Sequence, residues 1–159
     1  MANRNNPFGF KWVKSLTGNQ TPELVPVTQA INQTIAKGDA VILSSAQAVI
    51  GLATSERILG IAAESVTTGG TATATLMIYP ATPWNVFEAQ CEGTYAASSR
   101  HNAVDIVGAT GVMEVNEDAV VEKVFQIIGE NPNDSIGANT RVWGVFVRSE
   151  FLDLQDAEA

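Results

Sequence analysis

A chain of 159 residues, 45% of them apolar, is long enough for one domain with a buried core and too apolar for a disordered polymer. Its 9 basic residues stand against 17 acidic ones, and a net charge of −8 argues against nucleic acid as the main partner, because phosphate binding needs a basic face. A single cysteine excludes an internal disulfide and a thiolate metal cluster, and no run approaches the ~20 apolar residues of a membrane-spanning helix.

The chain opens on MANRNNPFGFKWVK, with Phe8, Phe10 and Trp12 around Gly9, basic Arg4, Lys11 and Lys14, and no acid. No hydrophobic stretch follows, so the opening does not read as a signal peptide. The spacing i, i+2, i+4 puts the three aromatics on one face of an extended segment. Two readings stand for it: an arm laid across a neighbouring subunit, adding main-chain pairing to a sheet edge, or aromatics closing one end of their own core. Residues 1–22 are taken as this extended N-terminal arm.

Residues 24–37 (LVPVTQAINQTIAK) fit a short helix or an irregular strand, and Pro26 keeps any helix short. From there, segments bounded by glycine or proline recur at the spacing of an all-β sandwich or barrel. Strands are predicted over residues 40–43, 47–53 and 57–66, the last with Gly60 inside it. Gly69-Gly70 is a turn signal, and residues 71–79 (TATATLMIY) alternate with the period of a strand. Residues 85–92 and 103–107 are further strands. Residues 120–129 (VVEKVFQIIG) favour a strand through their Val, Ile and Phe content. Residues 130–139 (ENPNDSIGAN) carry turn chemistry. Residues 140–148 form the strongest strand. Val142, Gly144 and Phe146 fall on one face and Trp143, Val145 and Val147 on the other, which predicts cover on both sides, by the core and by a partner or an arm. The expected architecture is an all-β, compact β-barrel or β-tulip-like domain over residues 23–152, with at most one or two short helices and a frayed acidic tail at 153–159.

No catalytic constellation emerges. Cys91 alternates as a strand position and reads as a buried structural thiol; His101, the single histidine, sits in a polar loop run. Glu88 and Glu92 read as solvated acids on one strand face. Glu114, Glu117, Asp118 and Glu122 lack the spacing and bend glycine of a calcium loop and read as a solvated loop. Asn131, Asn133 and Asp134 read as a turn, as does Lys37-Gly38-Asp39. No cofactor, metal or catalytic residue is assigned, and an enzyme is not expected.

Five segments in order resemble the capsid decoration, or cement, proteins of tailed bacteriophages. They are NPFGF-x-x-V at 6–13, KGD-x-V-x-L at 37–43, ILGIAAESV at 58–66, VFEAQCEGT at 86–94 and GAN-x-RVWGVFV-x-x-EF at 137–151. The resemblance implies a compact β domain that binds the outer surface of the expanded icosahedral head and bridges major capsid protein subunits. It also implies homotrimers at three-fold and quasi-three-fold positions, with neither nucleic acid nor membrane as a direct partner. Phe8, Phe10, Lys11 and Trp12 are the expected shell contacts, and Trp143, Val145 and Val147 the expected subunit or shell contacts. Removing residues 1–14 is expected to leave a folded body that binds the shell weakly. A head-fibre or tail component, and a carbohydrate-binding β module using Trp12, Trp84 or Trp143, are the alternatives.

Overall fold

The computed structural model describes residues 2–151; the tail expected at 153–159 lies outside the described residues. The chain is all-β. Its strands are β1 (Lys11–Ser15), β2 (Val25–Gln29), β3 (Thr34–Ile35), β4 (Ala40–Ser44), β5 (Gln47–Ile50), β6 (Gly60–Ala62) and β7 (Val66–Thr67), then β8 (Ala74–Pro80), β9 (Asn85–Gln90), β10 (Ala103–Val107), β11 (Glu114–Asn116), β12 (Phe125–Glu130) and β13 (Arg141–Phe146). A single 3₁₀ turn, Ala97–Ser99, is the one helical piece among the described residues.

Five strands close a barrel in the order β2-β5-β4-β6-β8. The ambiguous stretch 24–37 thus begins as a barrel strand, with exposed Pro26 opposite Met77 in register with β8. The β4–β5 hairpin turns at Ser45 and Ala46, both with positive φ (50° and 61°), the mirror-image turn geometry that matches strand twist. The predicted strand over 57–66 is two short pieces, β6 and β7, and β7 leaves the barrel to pair with β3.

The other layer is a six-stranded sheet, ordered β1-β9-β13-β12-β10-β11. It curls: Cys91 bridges Val115 and the Glu92 amide donates to the Val115 carbonyl at 2.9 Å, so β11 comes back beside the end of β9. The strand predicted over 120–129 starts only at Phe125. The amides of Val121, Glu122 and Lys123 are instead held by the buried Asp105 carboxylate at 3.2, 2.8 and 2.8 Å.

The main core lies where sheet and barrel meet. Phe10, Phe87, Phe125 and Phe146 form a ring cluster, with centroids 5.5 Å apart for Phe10–Phe125 and 5.2 Å for Phe10–Phe146. These two pairs are tilted, Phe87–Phe146 and Phe125–Phe146 are edge-to-face, and ring packing of both kinds adds to simple burial. Gly144 makes room for it, since a Cβ there would sit 2.5 Å from the Phe125 ring. A second cluster, including Ile35, Val41, Leu76 and Ile78, fills the barrel.

The N-terminal segment is part of this unit. Phe10 is 3% exposed in the main core, and β1 pairs antiparallel with β9. Asn3 Nδ2 donates to the carbonyls of Ser135 (2.7 Å) and Ala138 (3.0 Å), while its Oδ1 accepts from the Ser135 amide at 3.0 Å. Gly9, with φ of 78°, lies against Gly38, and a side chain on it would collide with the Gly38 carbonyl. An arm ending at residue 22 is therefore not the boundary the fold draws. Removing residues 1–14 takes out an edge strand and a core ring, so an intact body no longer follows.

Candidate functional site

The residues singled out in the N-terminal segment gather at one place. Phe8, Phe10, Lys11 and Trp12 line a groove of about 360 Å³ together with Lys37, Gly38, Ala62 and Tyr79. Phe10 forms its floor from inside the core and is not available as a shell contact. Phe8 and Trp12 are half-buried and Lys11 is exposed. Trp12 Nε1 donates to Asn85 Oδ1 at 3.2 Å, which fixes the indole against β9. Main-chain pairing thus holds the aromatics at the junction of sheet and barrel.

The residues picked on β13 are placed differently. Trp143 is half-buried, and its Nε1 donates to Glu88 Oε2 at 2.7 Å. The Lys14 ammonium lies over its ring, 5.5 Å from the centroid. The second face of β13 is thus partly covered by the chain's own residues. Val145, at 7% exposure, is too buried to offer a contact surface. Val147 lies past the end of β13 and is exposed.

A second groove of about 360 Å³ was not recognised from sequence. Ser15, Pro22, Val25, Pro80, Trp84 and Phe151 line it, with the polar side chains of Asn19, Thr21 and Glu23. Trp84 is 42% exposed and Phe151 44% exposed. Leu16, also exposed, donates its amide to the Trp84 carbonyl at 2.7 Å. The one signal in the chain was Trp84 in a proline corner; the remaining walls come from segments far apart in sequence.

Several carboxylates are not solvated as expected. Glu88 is buried and accepts from Asn131 and Trp143, with Arg141 3.6 Å away. Glu117 is 4% exposed, and its Oε1 has no hydrogen-bond partner. Burial pushes the Glu117 and Glu114 carboxyls up, as do neighbouring carboxylates. Cys91 is buried, and burial together with Glu117, Glu114 and Asp118 pushes its thiol up, away from thiolate chemistry. His101 is exposed in a turn with φ of 67°. Asp39 of the Lys37-Gly38-Asp39 turn is fully buried and caps the amides of Ala36 (2.8 Å) and Gly111 (2.7 Å). Asp134 forms the turn expected at 131–134 and pairs with Arg141, which holds its carboxyl below the usual range.

Among the described residues no group of three or more His, Cys, Asp or Glu side chains is placed to hold a metal ion. No helix among them is long and apolar enough to cross a membrane. No protein-family model matches the chain, and comparison with curated proteins and with solved structures found no match.

Proposed function

We propose that the chain is a virion structural protein, a capsid decoration protein that binds the outer surface of an expanded phage head and braces neighbouring major capsid subunits. The role is one of docking rather than catalysis, and self-association as a trimer is part of the reading. The observation that carries it is β1. It is the terminal strand of the six-stranded sheet, it bears exposed Lys11 and Lys14, and it pairs on one side only among the described residues. An open strand edge is a site for another chain. The ordered segments that resemble cement proteins run through this strand and through β4, β6, β9 and β13, the frame of the fold. Many weak contacts repeated over a shell give avidity without any strong single site.

Co-sedimentation of the purified protein with expanded heads that lack it tests the reading. Saturable binding at a fixed ratio to the number of three-fold sites is the expected result, and heads that sediment bare reject it. A second reading, a carbohydrate-binding module, is favoured by the exposed Trp84 ring beside Asn19, Thr21 and Glu23. A glycan array separates the two: a saccharide signal lost in Trp84→Ala supports the second.

A further inference from the structure

The two grooves are not independent features. Both have β1 on one wall, Lys11 and Trp12 in the first and Ser15 in the second. Both have the end of β8 on another, through the consecutive residues Tyr79 and Pro80. Together they follow β1 from its first residue to its last. β1 has no strand partner beyond β9 among the described residues. We propose that an extended, acid-bearing segment of a partner chain docks along β1, pairs its backbone with the free edge and seats one side chain in each groove. This rests on the reading of the protein as a docking component; within it, the partner is a subunit of the shell.

Spacing and charge carry the argument. The register break in β1 sets Lys11 opposite Glu88 and Ser15 opposite Asn85, three places apart on β9, so the two lie about 10 Å apart along the sheet and face opposite sides of it, as residues i and i+3 of an added strand do. Side chains at those two positions reach one groove each. The first groove is basic: Lys11 and Lys37 stand at its rim, exposed, and neither has a side-chain partner among the described residues. The second groove has one carboxylate, Glu23, and presents mainly Trp84, Phe151 and two prolines. The docked segment therefore carries its acid at the Lys11 end and an apolar side chain at the Ser15 end.

Lysines and a register break also guard edge strands against indiscriminate pairing, and β1 has both, the break falling between Trp12 and Lys14. A guarded edge does not require grooves along it. Two grooves sharing its length distinguish a docking strip, in which main-chain bonds supply affinity and side-chain sites supply choice of partner.

The test uses the full chain and a displayed library of random decapeptides, with hydrogen–deuterium exchange to locate the binders. Enriched peptides should bear Asp or Glu, and they should slow exchange of β1 amides by about tenfold or more. The double variant Lys11→Glu, Lys37→Glu should keep the wild-type melting temperature and lose these peptides. Four results overturn the proposal: no enrichment, enriched peptides that leave β1 exchange unchanged, binding indifferent to the charge reversal, or β1 protection that rises with the protein's own concentration and so gives the edge to a second copy. Bare heads in co-sedimentation alongside a positive peptide result reject the capsid reading and leave the docking strip standing.

Discussion

Phe10→Ala decides whether the N-terminal segment is an arm or a structural element. Phe10 is 3% exposed and stands against both Phe125 and Phe146, with centroids 5.5 and 5.2 Å away. Truncating a buried Phe to Ala costs about 3–5 kcal/mol, because transfer free energy and the cavity left behind add. Two ring pairs, each worth about 0.5–1.5 kcal/mol beyond area, put Phe10 in the upper part of that range. The site has little means of collapse, since the main chain on either side is fixed. The Phe10 amide donates to the Gly38 carbonyl at 2.8 Å, and β1 begins at the next residue. A domain of this kind has about 5–15 kcal/mol in total, so the variant folds but only just. Urea unfolding followed by tryptophan fluorescence is the assay. With a slope near about 2 kcal/mol per molar, the midpoint should fall by about 2 M. Phe8→Ala, at a half-buried position, is the control and should cost about 1 kcal/mol. A loss below about 1 kcal/mol for Phe10→Ala would refute the assignment of this ring to the core and restore a free arm.

Asp105→Ala strips three amides of a buried charged acceptor and should cost about 3 kcal/mol, with fast exchange confined at first to residues 117–124; unchanged exchange there would show that the loop holds itself. Phe146→Asp buries an unpaired charge in the centre of the ring cluster and should abolish the cooperative unfolding transition seen by circular dichroism. Glu117→Gln probes the sign of a raised carboxyl. A folded-state pKa pushed up by burial favours the fold in the protonated state. That contribution is complete below the ordinary value of about 4.3 and is lost as pH rises through the raised one. The variant should therefore melt higher than wild type at about pH 7.5 and alongside it at about pH 4, and a lower melting point at neutral pH would contradict this. Asp134→Asn has the opposite sign. Arg141 holds the Asp134 carboxyl down, so its contribution is present above the ordinary value and disappears as pH falls through the depressed one. A melting deficit that is largest at neutral pH and shrinks in acid is expected, and a deficit independent of pH would mean that the pair does not act through charge.

Strands with local signatures were legible in the sequence. Those predicted at 40–43, 85–92, 103–107 and 140–148 match β4, β9, β10 and β13, because alternation and branched side chains report a buried face without help from distant residues. What failed depended on long-range partners. Glu88 reads as a solvated acid on its own strand, yet Trp143 from β13 and Asn131 from the loop after β12 bury it. Residues 120–123 have strand composition, but Asp105 takes three of their amides before a ladder can. The Ser45-Ala46 turn has the geometry usually supplied by Asn-Gly, so no turn residue announced it. The aromatic spacing at 8, 10 and 12 correctly brought three rings to one place. It gave no measure of depth: burial separates Phe10 from its two neighbours, and burial comes from Phe125 and Phe146, more than a hundred residues away.

The position of Phe10 also bears on how β1 would act. Phe10, anchored in the core at 3% exposure, directly precedes the strand whose far edge is open, and Asn3 and the Gly9–Gly38 contact fix the chain ahead of it. An edge held this way is ordered before any partner arrives, so little conformational entropy remains to be lost on docking. It follows that Phe10 and Lys11, adjacent in sequence, should affect binding by different routes. Loss of Phe10 loosens the edge and lowers stability together with affinity. Charge reversal at Lys11 leaves the melting temperature alone and acts on the partner only. If both variants lost binding in proportion to lost stability, β1 would be structural and the docking surface would lie elsewhere on the molecule.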